Sequence, residues 1–411
     1  MFARKHWIPP AALVYAHLAH GFSWVLLLCA AWSQNVHGYT GFAWIHTIAL
    51  GWVTMAAFAI LIHAMPNFVD VEWQGEKVAR WSLVAYGAGV ALLLCGFLGD
   101  QRLLAPAGDI LLASIVVYVG TALWTLAKGM RGDRVQRAVA RAFSSTFLFL
   151  LAAVVIGYGL AGMLGGRGTL WAASLPSAHA TLGTLGWLSL LIFGVSMRTL
   201  RPISGETTRF RWMHIVVGSF TLLGVPLLAA GLAAQNTLLA WIGGALFIIA
   251  ALGYAFDVFD ILLRAKNPHR PPQLFVAFSV LWFLAALAIG GGALAGLPWQ
   301  PAYIFVLLAG WIGQMVLAHF HHIGVRLIAT VYRGEDDETP PAELLEPRLS
   351  WFTLGAFQIG IVIVAIGLLD GHLSLVARGA VFGMTGWIAM TANILAARAR
   401  AKVLPKTVSL L

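Results

Sequence analysis

The stretch Trp44–Phe68, WIHTIALGWVTMAAFAILIHAMPNF, is an apolar run of membrane-crossing length that carries a histidine near each end, His46 and His63. Hydrocarbon about 30 Å thick offers backbone N–H and C=O groups no water, so a run of roughly 20 apolar residues inside it has to be helical. Twelve such runs are present, at roughly 9 to 32, 39 to 66, 81 to 98, 104 to 127, 143 to 164, 176 to 198, 213 to 233, 238 to 262, 272 to 294, 302 to 326, 351 to 369 and 375 to 397. No soluble domain fits between them, so residues 1–411 are expected to form one polytopic domain, an all-α bundle of twelve transmembrane helices. Only 10% of the residues are charged, against about a quarter in soluble proteins, and this excludes the soluble function classes.

The first run is too long for the apolar core of a signal peptide and lacks a small-residue cleavage site, so it is read as a retained helix. A formal charge of +10 would suit a nucleic-acid binder, but the basic residues fall in alternate loops. Lys128, Arg131, Arg134, Arg137 and Arg141 follow span 4, Arg198, Arg201, Arg209 and Arg211 surround the end of span 6, and Arg264, Lys266 and Arg270 follow span 8. Arg398, Arg400, Lys402 and Lys406 follow span 12, while the other loops hold little beyond Arg102 and Arg167. The pattern is a topology signal: both termini are expected in the cytoplasm and the protein in the cell inner (cytoplasmic) membrane. Cys29 and Cys95 are lone thiols, expected as small core residues. The acidic run Glu335–Thr339 is expected to be a solvated loop, and Asp257 and Asp260 to face water or Arg264.

Span 2 has internal relatives. His46, Gly51-Trp52 and Pro66 in span 2 correspond to His179, Gly186-Trp187 and Pro202 in span 6, and Gly310-Trp311 in span 10 is a third copy. Aligned on the glycine, the twelfth residue beyond it is His63, Arg198 and His322 respectively. Copies four helices apart predict a pseudo-threefold arrangement of four-helix arcs.

Nine of the 13 histidines fall in spans: His17, His20, His46, His63, His179, His214, His319, His321 and His322. Intramembrane ionisable residues are costly and mark function. A proton relay would interleave carboxylates, which are scarce in the spans, so neutral imidazoles binding a metal or haem iron are the expectation. At 1.5 Å per residue His46 and His63 lie roughly 25 Å apart and serve different depths. His46 and His179 are candidate ligands of an outer haem between spans 2 and 6. His17, His20, His63, His319, His321 and His322 are candidates for an inner haem or metal site. His17 and His20 share a helix face, as do His319 and His322, whereas His321 points the other way.

These residues resemble a known group. The chain is similar to the haem-copper oxidase subunit I superfamily, twelve helices in three arcs, and within it looks most like the NnrS family of haem- and copper-containing membrane proteins associated with nitric oxide stress. The likeness rests on His46, Gly51-Trp52 and Ala64-Met65-Pro66-Asn67-Phe68, and on His179-Ala180 running to Arg198. His46-Thr47 with Pro66 is also similar to the low-spin haem helix of nitric oxide reductases, and Ala318-His319-Phe320-His321-His322 to the Ala-His-Phe-His-Tyr of oxidases. The resemblance implies His319 as a high-spin ligand and His321 with His46 as a low-spin pair.

Departures are clear: the oxidase His-Pro-Glu-Val-Tyr is absent because Ala180 follows His179, span 7 has the single His214, and the reductase glutamates are missing. Oxygen reduction is therefore not expected. What the resemblance implies is a haem b protein, with copper or non-haem iron as a second metal, in electron transfer or nitric oxide related redox chemistry, an oxidoreductase if it is an enzyme. Its implied partners besides the lipid bilayer are a cytochrome c or quinol donor or a second membrane subunit. Two other readings stay open: a transporter of copper, haem or protons using these histidines, and a non-catalytic respiratory assembly or sensor protein.

Overall fold

Among the described residues, 7–267, 270–334, 337 and 339–403 of a computed structural model, the regular structure is helical. Twelve helices are long and apolar enough to cross a membrane. They are α1 (Ile8–Trp32), α2 (Tyr39–Val69), α3 (Glu76–Leu98), α4 (Gln101–Gly129), α5 (Gln136–Leu164) and α6 (Pro176–Ser196). The second half holds α7 (Met213–Ala233), α8 (Thr237–Leu263), α9 (Arg270–Leu294), α10 (Gln300–Arg333), α11 (Pro347–Leu369) and α12 (Leu373–Val403). The all-α twelve-helix bundle expected from the apolar runs is what the chain forms.

Several helices outrun their apolar cores because polar flanks continue the hydrogen-bond ladder into the headgroup region. Asp133 and Gln136 close a reciprocal capping box at the start of the helix that becomes α5. Asn236 caps α8 by accepting from the Leu239 N–H at 3.0 Å. The helix of α6 continues to Ser204. It ends as α2 does, with a proline in the last turn, Pro66 or Pro202, then a left-handed residue, Asp70 (φ 52°) or Gly205 (φ 80°).

Helices adjacent in sequence pack side by side, and α12 returns against α1 to close the assembly. Inside it α10 is the most buried span and α2 the next. Close approach of the pairs depends on small residues: at Gly243 of α8 a Cβ would lie 2.2 Å from the Leu228 backbone nitrogen of α7.

The repeat seen in sequence is a repeat in backbone geometry. Thr47–Thr54, Leu182–Ser189 and Val306–Gly313 are eight-residue π-helical segments, and in each the glycine of Gly51-Trp52, Gly186-Trp187 or Gly310-Trp311 is the fifth residue. Widened turns of this kind are rare and concentrate at functional sites. Each glycine receives the preceding helix: a Cβ would meet Ala19 of α1 at 3.1 Å, Phe149 of α5 at 2.7 Å or Trp282 of α9 at 2.8 Å.

Three expectations are corrected. Cys29 and Cys95 lie on the outside of the bundle, because the apolar surroundings that make a thiol welcome are available at a lipid-facing surface as well as in a core. In the acidic run, Asp337 and Thr339 are buried, since Arg333 donates from Nε to the Asp337 carboxylate at 2.7 Å and from Nη2 to Thr339 at 2.8 Å; Glu335, Asp336 and Glu338 lie outside the described residues. Asp260 does pair with Arg264, at 2.5 Å, but Asp257 is buried and turns to Thr208.

Candidate functional site

The π segments bring the central helices together through their tryptophans. Trp187 of α6 donates its indole N–H to the Thr54 hydroxyl of α2 at 3.1 Å, and Trp311 of α10 donates to the Ser189 hydroxyl of α6 at 3.0 Å. Thr54 and Ser189 each stand three residues past the repeat glycine, so the two bonds are equivalent links of a cycle. The third link is broken. The matching residue of α10 is Gly313, which has no hydroxyl; a Cβ there would come within 3.2 Å of Trp52, whose ring stacks instead on His20 at 3.6 Å.

Near the start of the π segments of α2 and α6, His46 and His179 face each other. Their ring centroids are 6.3 Å apart and their planes 18° apart. The Nδ1 of His46 lies 2.8 Å from the carbonyl oxygen of Phe42, and that of His179 2.8 Å from the carbonyl oxygen of Ala153 on α5. A carbonyl only accepts, so each Nδ1 carries the proton and each Nε2 keeps its lone pair. Metal-ligating histidines are oriented by this same second bond. The α5 backbone comes close because residue 157 is glycine, where a Cβ would lie 2.8 Å from the His179 ring. Phe97 of α3 covers His46, with ring centroids 5.1 Å apart.

The spacing is a test of what the pair could hold. With a metal about 2 Å from each ring nitrogen, two imidazoles on opposite sides of one ion would have centroids about 6 Å apart. The donor set, two neutral imidazoles on neighbouring helices at a spacing of this order, has the chemistry that would hold a haem iron.

The other histidines are placed differently. The Nε2 of His17 meets the Thr391 hydroxyl of α12 at 2.8 Å, and its ring lies 5.4 Å from that of Trp387. His20 is buried between Trp52 and Phe357, and its Nε2 accepts from Trp24 at 3.2 Å. The Nδ1 of His319 meets the Met315 carbonyl at 2.7 Å, and its Nε2 meets the Thr199 hydroxyl, 2.5 Å away on the helix of α6. His321 gives Nδ1–H to Leu317 at 2.8 Å and lies beside Phe275 of α9 at 5.1 Å. His319 and His321 thus face different helices, as their spacing predicts.

His63 and His322 are half-buried on α2 and α10, and His214 lines a small cavity on α7. Among the described residues no three His, Cys, Asp or Glu side chains gather as a metal site, so His17, His20, His63 and His322 do not assemble as the expected inner metal set. Nor is the implied pairing of His46 with His321 what the rings display: His46 has its ring partner on α6.

Four contributors escaped the sequence reading. Gly157, the Ala153 carbonyl, Thr199 and Thr391 meet the histidines only from neighbouring helices, and nothing in their local sequence distinguishes them from packing residues. No protein-family model matches this chain, and no curated protein shows significant similarity to it.

Proposed function

We propose that this protein is a membrane-embedded haem b protein acting in electron transfer or nitric oxide related redox chemistry, with His46 and His179 as the residues that hold the haem. One observation carries the reading: two imidazoles on different helices, each anchored through Nδ1 to a carbonyl, with centroids 6.3 Å apart. When bound between two imidazoles, a haem iron supplies one-electron chemistry.

The chain's own contribution is positional. The Phe42 and Ala153 carbonyls fix the tautomer and aim of the two rings before any ligand arrives, which lowers the ordering cost of binding. Trp187 ties α6 to α2 below the pair, so the two ligand-bearing helices keep one spacing. Phe97 shields His46 from one side.

A transporter reading draws on unwound helix breaks near the midplane. Here α2, α6 and α10 stay helical throughout, widened but not interrupted, which favours a rigid frame. The test is an absorption spectrum and metal analysis of the purified protein. A Soret band with iron near one per chain is expected; a colourless protein without iron would sink the proposal.

A further inference from the structure

Asp257 is an aspartate within span α8, 7% exposed, and it lacks the partner its sequence neighbourhood offers. Arg264 is taken by others: it pairs with Asp260 at 2.5 Å and with Glu206 at 2.7 Å, and Lys266 pairs with Glu206 at 2.7 Å. That leaves Asp257 with a 2.5 Å hydrogen bond from the Thr208 hydroxyl. A carboxylate inside a bilayer without a paired cation is costly to hold charged, and such groups mark ion or proton pathways.

The surroundings supply a titratable companion. Asp257, His214 of α7, Ser196 of α6, Tyr254 of α8, Arg201 and Glu206 line one cavity of about 20 Å³. A cavity of that size holds one water, given at least two polar partners. Tyr254 gives its hydroxyl proton to Ser196 at 2.8 Å and Glu206 is paired with Arg264 and Lys266, so the two groups left to exchange protons with such a water are Asp257 and His214. Arg201, in the last turn of the helix of α6, and Glu206, just after it, line the same cavity.

The ligand class follows from charge and ligand count. Among the described residues no third His, Cys, Asp or Glu joins Asp257 and His214 as a metal site, and the arginines Arg201 and Arg264 stand nearby. A metal cation is disfavoured on both grounds.

We propose that Asp257 and His214 form a proton-binding pair, reached through the cavity from the membrane side on which Arg201 and Glu206 lie. One proton from that aqueous phase is shared: it sits on the carboxylate with a neutral imidazole, or on the imidazole with a carboxylate, and the pair is neutral either way. Its release returns one proton to water and leaves the pair with a charge of minus one. The charged and titratable groups around it are Arg201 at the end of the helix of α6, Glu206 and Arg209 in the connection, Tyr254 and Asp260 on α8, and Arg264 and Lys266 just beyond it. Lys266, followed by Arg264 and Arg209, holds Glu206 below the usual carboxylate range. The inference is independent of any haem on His46 and His179.

The test is an infrared pH titration of the whole protein in lipid nanodiscs, read at the carboxylic-acid C=O stretch. A titrating band is expected that disappears in Asp257→Asn and whose midpoint moves by about one pH unit or more in His214→Gln. Absence of a titrating band in the wild type, or its persistence in Asp257→Asn, overturns the proposal. If Asp257→Asn does not accumulate, His214→Gln and Thr208→Val decide the matter, and unchanged midpoints in both overturn it.

Discussion

The outer and inner histidines of this bundle are the same residue type in the same kind of helix, yet they differ in what their Nε2 atoms meet. In the outer half, His46 and His179 have Nδ1 tied to carbonyls and face each other across 6.3 Å. Deeper in, the Nε2 atoms of His17, His20 and His319 meet Thr391, Trp24 and Thr199. An imidazole whose Nε2 already makes a hydrogen bond is a packing and cross-linking group, whereas two neighbouring imidazoles anchored through Nδ1 have the donor chemistry of the proposed ligand pair. Intramembrane position alone does not separate a ligand from a cross-link.

Substitution of the outer pair has the largest expected effect. His46→Ala and His179→Ala should each abolish haem binding as read by the Soret absorbance per protein, while His17→Ala retains it; equal spectra in all three would erase the distinction between the two layers. Gly157→Ala comes next, because its methyl group would press on the His179 ring. Displacing a ligand's support typically costs about 10–100-fold in affinity, to be measured by haem titration of the apoprotein.

Removing haem sharpens the contrast by another route. A ligand present at about 100 times its Kd stabilises the folded state by about 2.7 kcal/mol, so protein made under haem starvation should melt earlier than the loaded form. The variants at His46 and His179 should show no such difference. The smallest effect belongs to the inner layer: Thr199→Val and Thr391→Val remove the hydroxyls that meet His319 and His17. Each should cost about 1 kcal/mol of stability, seen in thermal unfolding, with the haem spectrum unchanged.

The twelve-helix architecture was legible because a bilayer imposes one demand, apolar length, that can be counted along the chain. The threefold pattern was legible too, since Gly51-Trp52, Gly186-Trp187 and Gly310-Trp311 mark three eight-residue π segments at one register. The facing of His46 and His179 followed from that alignment. The fate of the inner histidines could not be read, because it depends on Thr391 of α12, Thr199 beyond the α6 span and Trp24, residues that contact them only after the helices have packed. Asp257 was misjudged for a related reason. Seven residues before Arg264, it sits nearly two turns away along α8, and the intervening Asp260 takes that cation first.

The cyclic bonds among the tryptophans show the same limit from another side. Trp187–Thr54 and Trp311–Ser189 obey the repeat, but Gly313 breaks it, and Trp52 is left to stack on His20. Where the repeat lapses, Trp52 packs on His20, one of the histidines expected at an inner metal site.

The most direct measurement is the electron paramagnetic resonance spectrum of the oxidised, purified protein alongside His46→Ala and His179→Ala. The outer pair predicts a low-spin ferric signal of bis-imidazole type in the wild type that is lost or converted to high spin in each variant. A low-spin signal that survives both substitutions, or a wild type with no haem signal, would contradict the assignment of His46 and His179 as the ligand pair.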